Sequence, residues 1–307
     1  MSNLLDKRFI VIAGKGGVGR TTVSLVLGQM AASLGRRTLV CLCNAQPRYV
    51  DLLGDVVLST TIRKISEMLH VVNLEPKACQ KEYGMQHLNN RTLHALVFSS
   101  KTVTRFLDAV PGLSDWAMLG KATYHALETV NGQPKYDLVV FDSPATGHGL
   151  NILALPRAIV SAVPTGRMRE EALARCELLE DPSLSEVIPV TLPEEMPVNE
   201  TVEFVSSLAE LGLFVERVVV NMVASDHMSP ELKDLVQQAM KSETVPSWLL
   251  PASAALSRQE MQQESLERLL ERIPAEQIIL PGIAKDSMNE ASLLSLVTAL
   301  TSQLNGR

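Results

Sequence analysis

Phe9-Ile10-Val11-Ile12-Ala13 runs straight into Gly14-Lys15-Gly16-Gly17-Val18-Gly19-Arg20-Thr21-Thr22, and the reading of this junction decides the fold. The five apolar residues read as a buried strand. From Thr22 to Leu34 apolar residues recur at helical spacing. A glycine-rich loop between a strand and a helix is the frame of a phosphate-binding loop, G-x-x-x-x-G-K-[ST]. Gly14, Gly16, Gly17 and Gly19 lack a Cβ, so the backbone can adopt positive φ and approach a ligand closely. The N–H groups along Gly14–Thr22, Val18 and Thr22 included, are expected to converge on phosphate oxygens at the positive end of the following helix. Thr21 is the hydroxyl expected to hold Mg²⁺. One letter departs from the pattern: Arg20 stands where the lysine belongs. The alternative, a glycine-rich turn with no ligand, accounts poorly for the strand–helix frame and the threonine that follows.

The chain has 307 residues, 46% of them hydrophobic, and a net charge of −6. Its length allows one large domain or two smaller ones. The charge gives no basic footprint for nucleic acid. Cys41, Cys43, Cys79 and Cys176 have no framework spacing and form no C-x-x-C. This predicts free thiols in a reducing, cytoplasmic compartment and no structural zinc. Cys41 and Cys43 alternate within an apolar run and are expected to share one face of a strand, as packing residues. The start of the chain shows no signal peptide. No apolar stretch approaches the ~20 residues that span a bilayer. The amphipathic run Glu290 to Leu304 carries no lysine or arginine and reads as a core-packing helix rather than a membrane-surface one.

Strand-like runs recur at Phe9–Ala13, Thr38–Cys43, Asp137–Phe141, Ala158–Val163, Val187–Leu192, Arg217–Asn221 and Gln277–Leu280. Helical patterns fall near 22–34, 61–69, 88–108, 114–130, 168–180, 198–211, 229–241, 256–272 and 288–304. The alternation predicts an α/β fold, a mostly parallel twisted sheet with helices on both faces. We expect one domain over 1–307, with a strand-free helical subdomain at about 60–135.

Leu138-Val139-Val140-Phe141-Asp142 is an apolar strand ending in a carboxylate. In phosphate-loop NTPases such an aspartate binds the Mg²⁺ shell beside the loop. The alternative for Asp142 alone is a helix cap or a solvated loop acid. The turn-forming segment Ser143 to Leu150 lies where a γ-phosphate-sensing switch belongs. His148 reads equally as a structural histidine or as a link from that switch to another element.

Together these residues resemble a known family. Gly-Lys-Gly-Gly-Val-Gly-x-Thr-Thr is similar to the deviant phosphate loop of the MinD/ArsA class. Asp142-Ser143-Pro144-Ala145-Thr146-Gly147-His148-Gly149-Leu150 resembles the Asp-Thr-Ala-Pro-Thr-Gly-His-Thr-Leu signature of the ArsA branch, the arsenite-pump and tail-anchored-protein-targeting ATPases. Pro193-Glu194-Glu195-Met196-Pro197-x-x-Glu200-Thr201 is similar to its Pro-Glu-x-Met-x-x-x-Glu-Thr stretch, and Val218-Val219-Val220-Asn221 to its adenine-reading strand end. The matches follow the family's order over about residues 8–225. The resemblance implies a P-loop NTPase fold, ATP and Mg as ligands, and a dimer with ATP at the interface. It implies that Lys15 reaches the partner subunit's phosphates, that Asn221 hydrogen-bonds adenine and that Pro281 borders the base. A homodimer and a heterodimer with a related ATPase stay equally open, and no protein client is named by the residues.

The departures from the family bear on catalysis. Arg20 keeps the charge of the family lysine but is longer and planar. After the strand Thr38–Cys43 the family has Asp-Pro-Ala-His, whose aspartate positions the attacking water; here the spacing offers Asn44, and aligning on Pro47 offers Gln46 instead. Asn44 can orient a water but cannot take its proton. The zinc pair of the targeting subfamily and its long Met-rich insert between Pro156 and Pro193 are missing, and no cysteine triad for arsenite sensing is apparent. Three readings follow: a slow Mg²⁺-dependent ATPase with Lys15, Asn44 and Asp142 at the reaction centre, a nucleotide-holding pseudo-ATPase paired with an intact relative, and, more weakly supported, a targeting factor.

Overall fold

The computed structural model describes residues 4–54, 56–87, 112–225, 228–240, 246–283 and 289–305. The elements run β1 (Phe9–Gly14), α1 (Arg20–Ser33), β2 (Thr38–Cys43), β3 (Arg63–Lys64), β4 (Leu69–Leu74), α2 (Pro76–His87), α3 (Leu113–Leu127), β5 (Thr129–Val130), β6 (Gln133–Pro134), β7 (Leu138–Asp142), α4 (Thr146–Ala162), α5 (Arg167–Glu180), β8 (Ser185–Thr191), α6 (Glu195–Glu210), β9 (Arg217–Val223), α7 (Pro230–Met240), α8 (Leu250–Arg272), β10 (Glu276–Pro281) and α9 (Glu290–Asn305). Eight strands form one sheet in the order β10-β9-β8-β1-β7-β2-β4-β3. Every pairing in it is parallel except the short β3 edge against β4.

The apolar strands explain this layout. β1, β7 and β8 are buried along their whole length, as strands covered on both faces must be. Alternate residues serve opposite layers. Ile10, Ile12, Val40, Leu42, Val140 and Ile188 pack with α1 and with Leu293, Leu296 and Leu300 of α9. Phe9, Val11, Leu39, Val139 and Phe141 pack with α3 and with Ile152, Leu178 and Phe204 of α4, α5 and α6. Cys41 and Cys43 both face this second layer. Burial raises both thiols well above the usual thiol range, so they pack rather than react. At the far end of the sheet from the loop, Arg217 meets the buried Glu186 at 2.6 Å, and burial pushes that carboxyl up to about 7.

Three expectations need correction. The helix near 61–69 is absent; β3 and β4 stand in its place, and 60–135 is therefore not strand-free. Leu69-His70-Val71-Val72-Asn73-Leu74 is a six-residue, mostly apolar strand that extends the sheet at β2, and a segment this short has no decisive period. The helix expected near 114–130 stops at Leu127, because Asn131-Gly132, with φ 52° and 76°, turns a small β5–β6 hairpin. Ala158–Val163 is not a strand but runs through the last turns of α4. Arg169 Nη1 donates to the carbonyls of Val160 and, at 2.9 Å, Val163, satisfying that helix end. α2 has no sequence signal beyond Pro76 at its first position. The helix expected near 88–108 lies outside the described residues. Among the described residues, no helix is long and apolar enough to cross a membrane.

Candidate functional site

β1 sits where the sheet order reverses, with β7 on one side and β8 on the other. In open α/β sheets that switch point is where ligands bind, at the carboxyl ends of the strands. The loop Gly14–Thr22 leaves β1 there and enters α1 at Arg20. Gly14, at φ 152°, lets the loop pass β8: a Cβ would stand 2.4 Å from the Val190 carbonyl oxygen. Gly19 caps α1 in the left-handed region, φ 91°. A Cβ there would stand 2.2 Å from Asn221 Nδ2. At the exposed Gly16 and Gly17 a Cβ would meet nothing within 4 Å, so the loop's tip faces open space.

Thr21 and Asp142, 121 residues apart, meet at this point. Thr21 Oγ1 donates to Asp142 Oδ2 at 2.7 Å. The other carboxyl oxygen, Oδ1, is buried and has no hydrogen-bond partner among the described residues. Burial pushes the Asp142 carboxyl up to about 6, against the opposing pull of the Thr21 hydrogen bond and the Arg20 charge. A buried carboxylate oxygen without a partner is costly. A hydroxyl beside a carboxylate is the hard oxygen donor set that Mg²⁺ prefers. The residues present fit that ion.

Arg20 reaches in two directions. Its Nη1 donates to the Ser143 carbonyl, directly after Asp142, and its Nε donates to the Lys15 carbonyl at 3.3 Å. The guanidinium thus ties the loop to the start of the Ser143–Ala145 segment. That segment is shorter than the sequence suggests, because α4 begins at Thr146. Thr146–Leu150, expected as a turn-rich switch, form its first turns.

Asn221 lies in β9 with its side chain buried against the loop, Nδ2 donating to the Val18 carbonyl at 2.9 Å. Pro281 ends β10 beside Val223, so Asn221 and Pro281 share one corner of the sheet. Asn44 follows β2 in the left-handed region, φ 49°, and is exposed. Its N–H donates to the Leu74 carbonyl at 3.0 Å. Because Leu42 is paired with Asp142 across β2 and β7, Asn44 stands at the same end of the sheet. Lys15 is ion-paired with Glu200 of α6, a contact that sequence reasoning does not find. The two lie 185 residues apart, and the only signal is the motif that contains Glu200.

Known proteins similar to this chain are ATPases. The model of the anion-transporting ATPase family matches residues 7–167 and 165–245. ATPase BagA of Mycobacterium tuberculosis is 26% identical over 273 residues, spanning 83% of this chain and 77% of that protein. The ATPase ASNA1 homolog of Entamoeba histolytica is 24% identical over 254 residues, spanning 70% of this chain and 76% of that protein.

Proposed function

Since the chain belongs to the anion-transporting ATPase family, we propose that it is a Mg²⁺-dependent ATPase that acts as a nucleotide-switched dimer and turns ATP over slowly. The observation that carries this reading is the Thr21–Asp142 pair with its unpartnered Oδ1, set against a glycine loop open to solvent. Bound Mg²⁺ supplies charge that offsets the phosphate oxygens. The rest falls to the chain's own residues. N–H groups of Gly16 to Thr22 hold the phosphates at the start of α1. Arg20 adds a permanent cation. Lys15, at the exposed tip of the loop, extends to a partner subunit's phosphates. Asn221 and Pro281 border the base.

Slowness follows from two side chains. Phosphoryl transfer rests on positioning and charge rather than covalent help. Arg20 divides its donors between Ser143, Lys15 and whatever phosphate it meets. Asn44 orients a water by its amide and leaves the proton in place. Arg20→Lys is expected to raise kcat about tenfold, an effect equivalent to about 1.4 kcal/mol in the barrier. Steady-state phosphate release by the purified protein checks this, and an unchanged or lower kcat would acquit the arginine. Lys15→Ala is expected to lose ATP-dependent association in sedimentation velocity. An unchanged dimer with and without ATP, in parent and variant alike, would refute the cross-subunit role.

The same two-way grip of Arg20 supports a second reading, a nucleotide-holding subunit that serves a catalytically intact relative. Tight Mg-ATP binding with no phosphate release, alone or in a mixture with that relative, would favour it over the slow enzyme.

A further inference from the structure

Glu200 is held in place independently of Lys15. It lies on α6, whose inner face buries Val198, Thr201, Phe204 and Leu208. Glu195, in the first turn of the same helix, meets Arg268 of α8 at 2.9 Å. The helix cannot rotate without exposing its buried face and parting that pair, so Glu200 stays turned toward the phosphate loop. Lys15 is the more exposed partner, with 54% of its side chain accessible against 29% for Glu200. A flexible lysine on a loop tip is therefore docked onto a carboxylate fixed by the core.

We propose that Glu200 is a positioning residue for Lys15: it pins the loop lysine against its own subunit and yields it to the partner subunit's phosphates when ATP brings two chains together. This rests on the reading of Lys15 as the cross-subunit cation. The strength of the contact suits the task. An exposed ion pair is weak and screened, whereas a triphosphate presents several charges to the same ammonium. A pair that strong phosphate competition can open, and water alone opens only part of the time, acts as a threshold on association. It also keeps a lone subunit from presenting a free cation beside its own nucleotide, where Lys15 would compete with Arg20.

Two measurements on the full chain test this, with Glu200→Gln as the neutral isostere and Glu200→Asp as the conservative variant. The first is the acylation rate of Lys15 by an N-hydroxysuccinimide ester without nucleotide, read by peptide mass spectrometry. Glu200→Gln is expected to raise it about two- to fivefold, the range an exposed pair supports, with Glu200→Asp nearer the parent. The second is the ATP concentration for half-maximal association, expected to fall by a similar factor in Glu200→Gln. Association that responds to ATP with neither quantity moved by Glu200→Gln would overturn the proposal and leave the dimer reading intact. A parent chain that never associates with ATP, with Lys15 acylation still released by Glu200→Gln, would overturn the hand-over together with the dimer reading and leave only the ion pair.

Discussion

Replacing Asp142 by asparagine is expected to abolish ATP turnover and, in the same protein, to improve stability relative to the parent as pH rises from 4 to 7. The two effects have one origin. Asp142 is buried at the end of β7 with one oxygen on Thr21 and the other on nothing among the described residues. Burial raises its pKa from 3.8 to about 6. Below about pH 4 the carboxyl is protonated whether the chain is folded or not. Between about 4 and 6 the unfolded chain releases the proton while the folded chain keeps it, so the unfolded state binds fewer protons and stability falls with rising pH. Above about 6 the penalty is complete. A shift of about two units corresponds to ~3 kcal/mol. Asparagine keeps an oxygen for Thr21 and has no charge to bury. The stability difference between variant and parent, measured by urea unfolding without metal or nucleotide, should therefore move in the variant's favour by that order across pH 4–7. A difference that stays flat with pH would mean that Asp142 is not the strained, metal-ready carboxylate described here. The gain is the expected signature of a residue kept for function at the cost of stability.

Gly14→Ala is expected to damage fold and site together. Gly14 is the last residue of β1 and is paired in register with Val190 of β8. An added Cβ would stand 2.4 Å from the Val190 carbonyl oxygen. That neighbour is backbone in the middle of the sheet and cannot swing aside. Alanine is also strained at φ 152°. β1 and β8 would have to part at the point where the loop leaves the sheet. Destabilisation of about 3 kcal/mol or more, and loss of ATP affinity by about a hundredfold or more, are expected in chemical denaturation and titration calorimetry. Parent-like values in both would contradict the close passage of the loop beside β8.

Much of this is legible in the sequence because the informative segments are long or chemically unusual. β1, β2, β7, β8, β9 and β10 show as apolar runs, and the loop shows by its glycines. Thr21 and Asp142 each stand out in their local settings, and the fold brings them within hydrogen-bond distance. What escapes is local ambiguity and long-range pairing. β4 is six residues long, too short for its period to separate strand from helix. α4 is hidden because Pro156 interrupts its pattern and because Ala158–Val163 alone resembles a strand. Ser143, which Arg20 reaches, and Glu200, which pairs with Lys15, lie more than a hundred residues away in the chain, and no local periodicity reports on them. Arg20 reads as a defect in a motif; in the fold it is also a tie between that motif and the segment after Asp142.

The most direct test of the central claim, that the Gly14–Thr22 loop and Asp142 together bind and slowly hydrolyse Mg-ATP, is phosphate release by the purified chain and by Asp142→Ala, each with Mg²⁺ and with a chelator. Slow release that requires Mg²⁺ and disappears in Asp142→Ala is the expected result. Release that persists unchanged in Asp142→Ala or in the chelator, or a chain that binds no ATP by calorimetry, would contradict it.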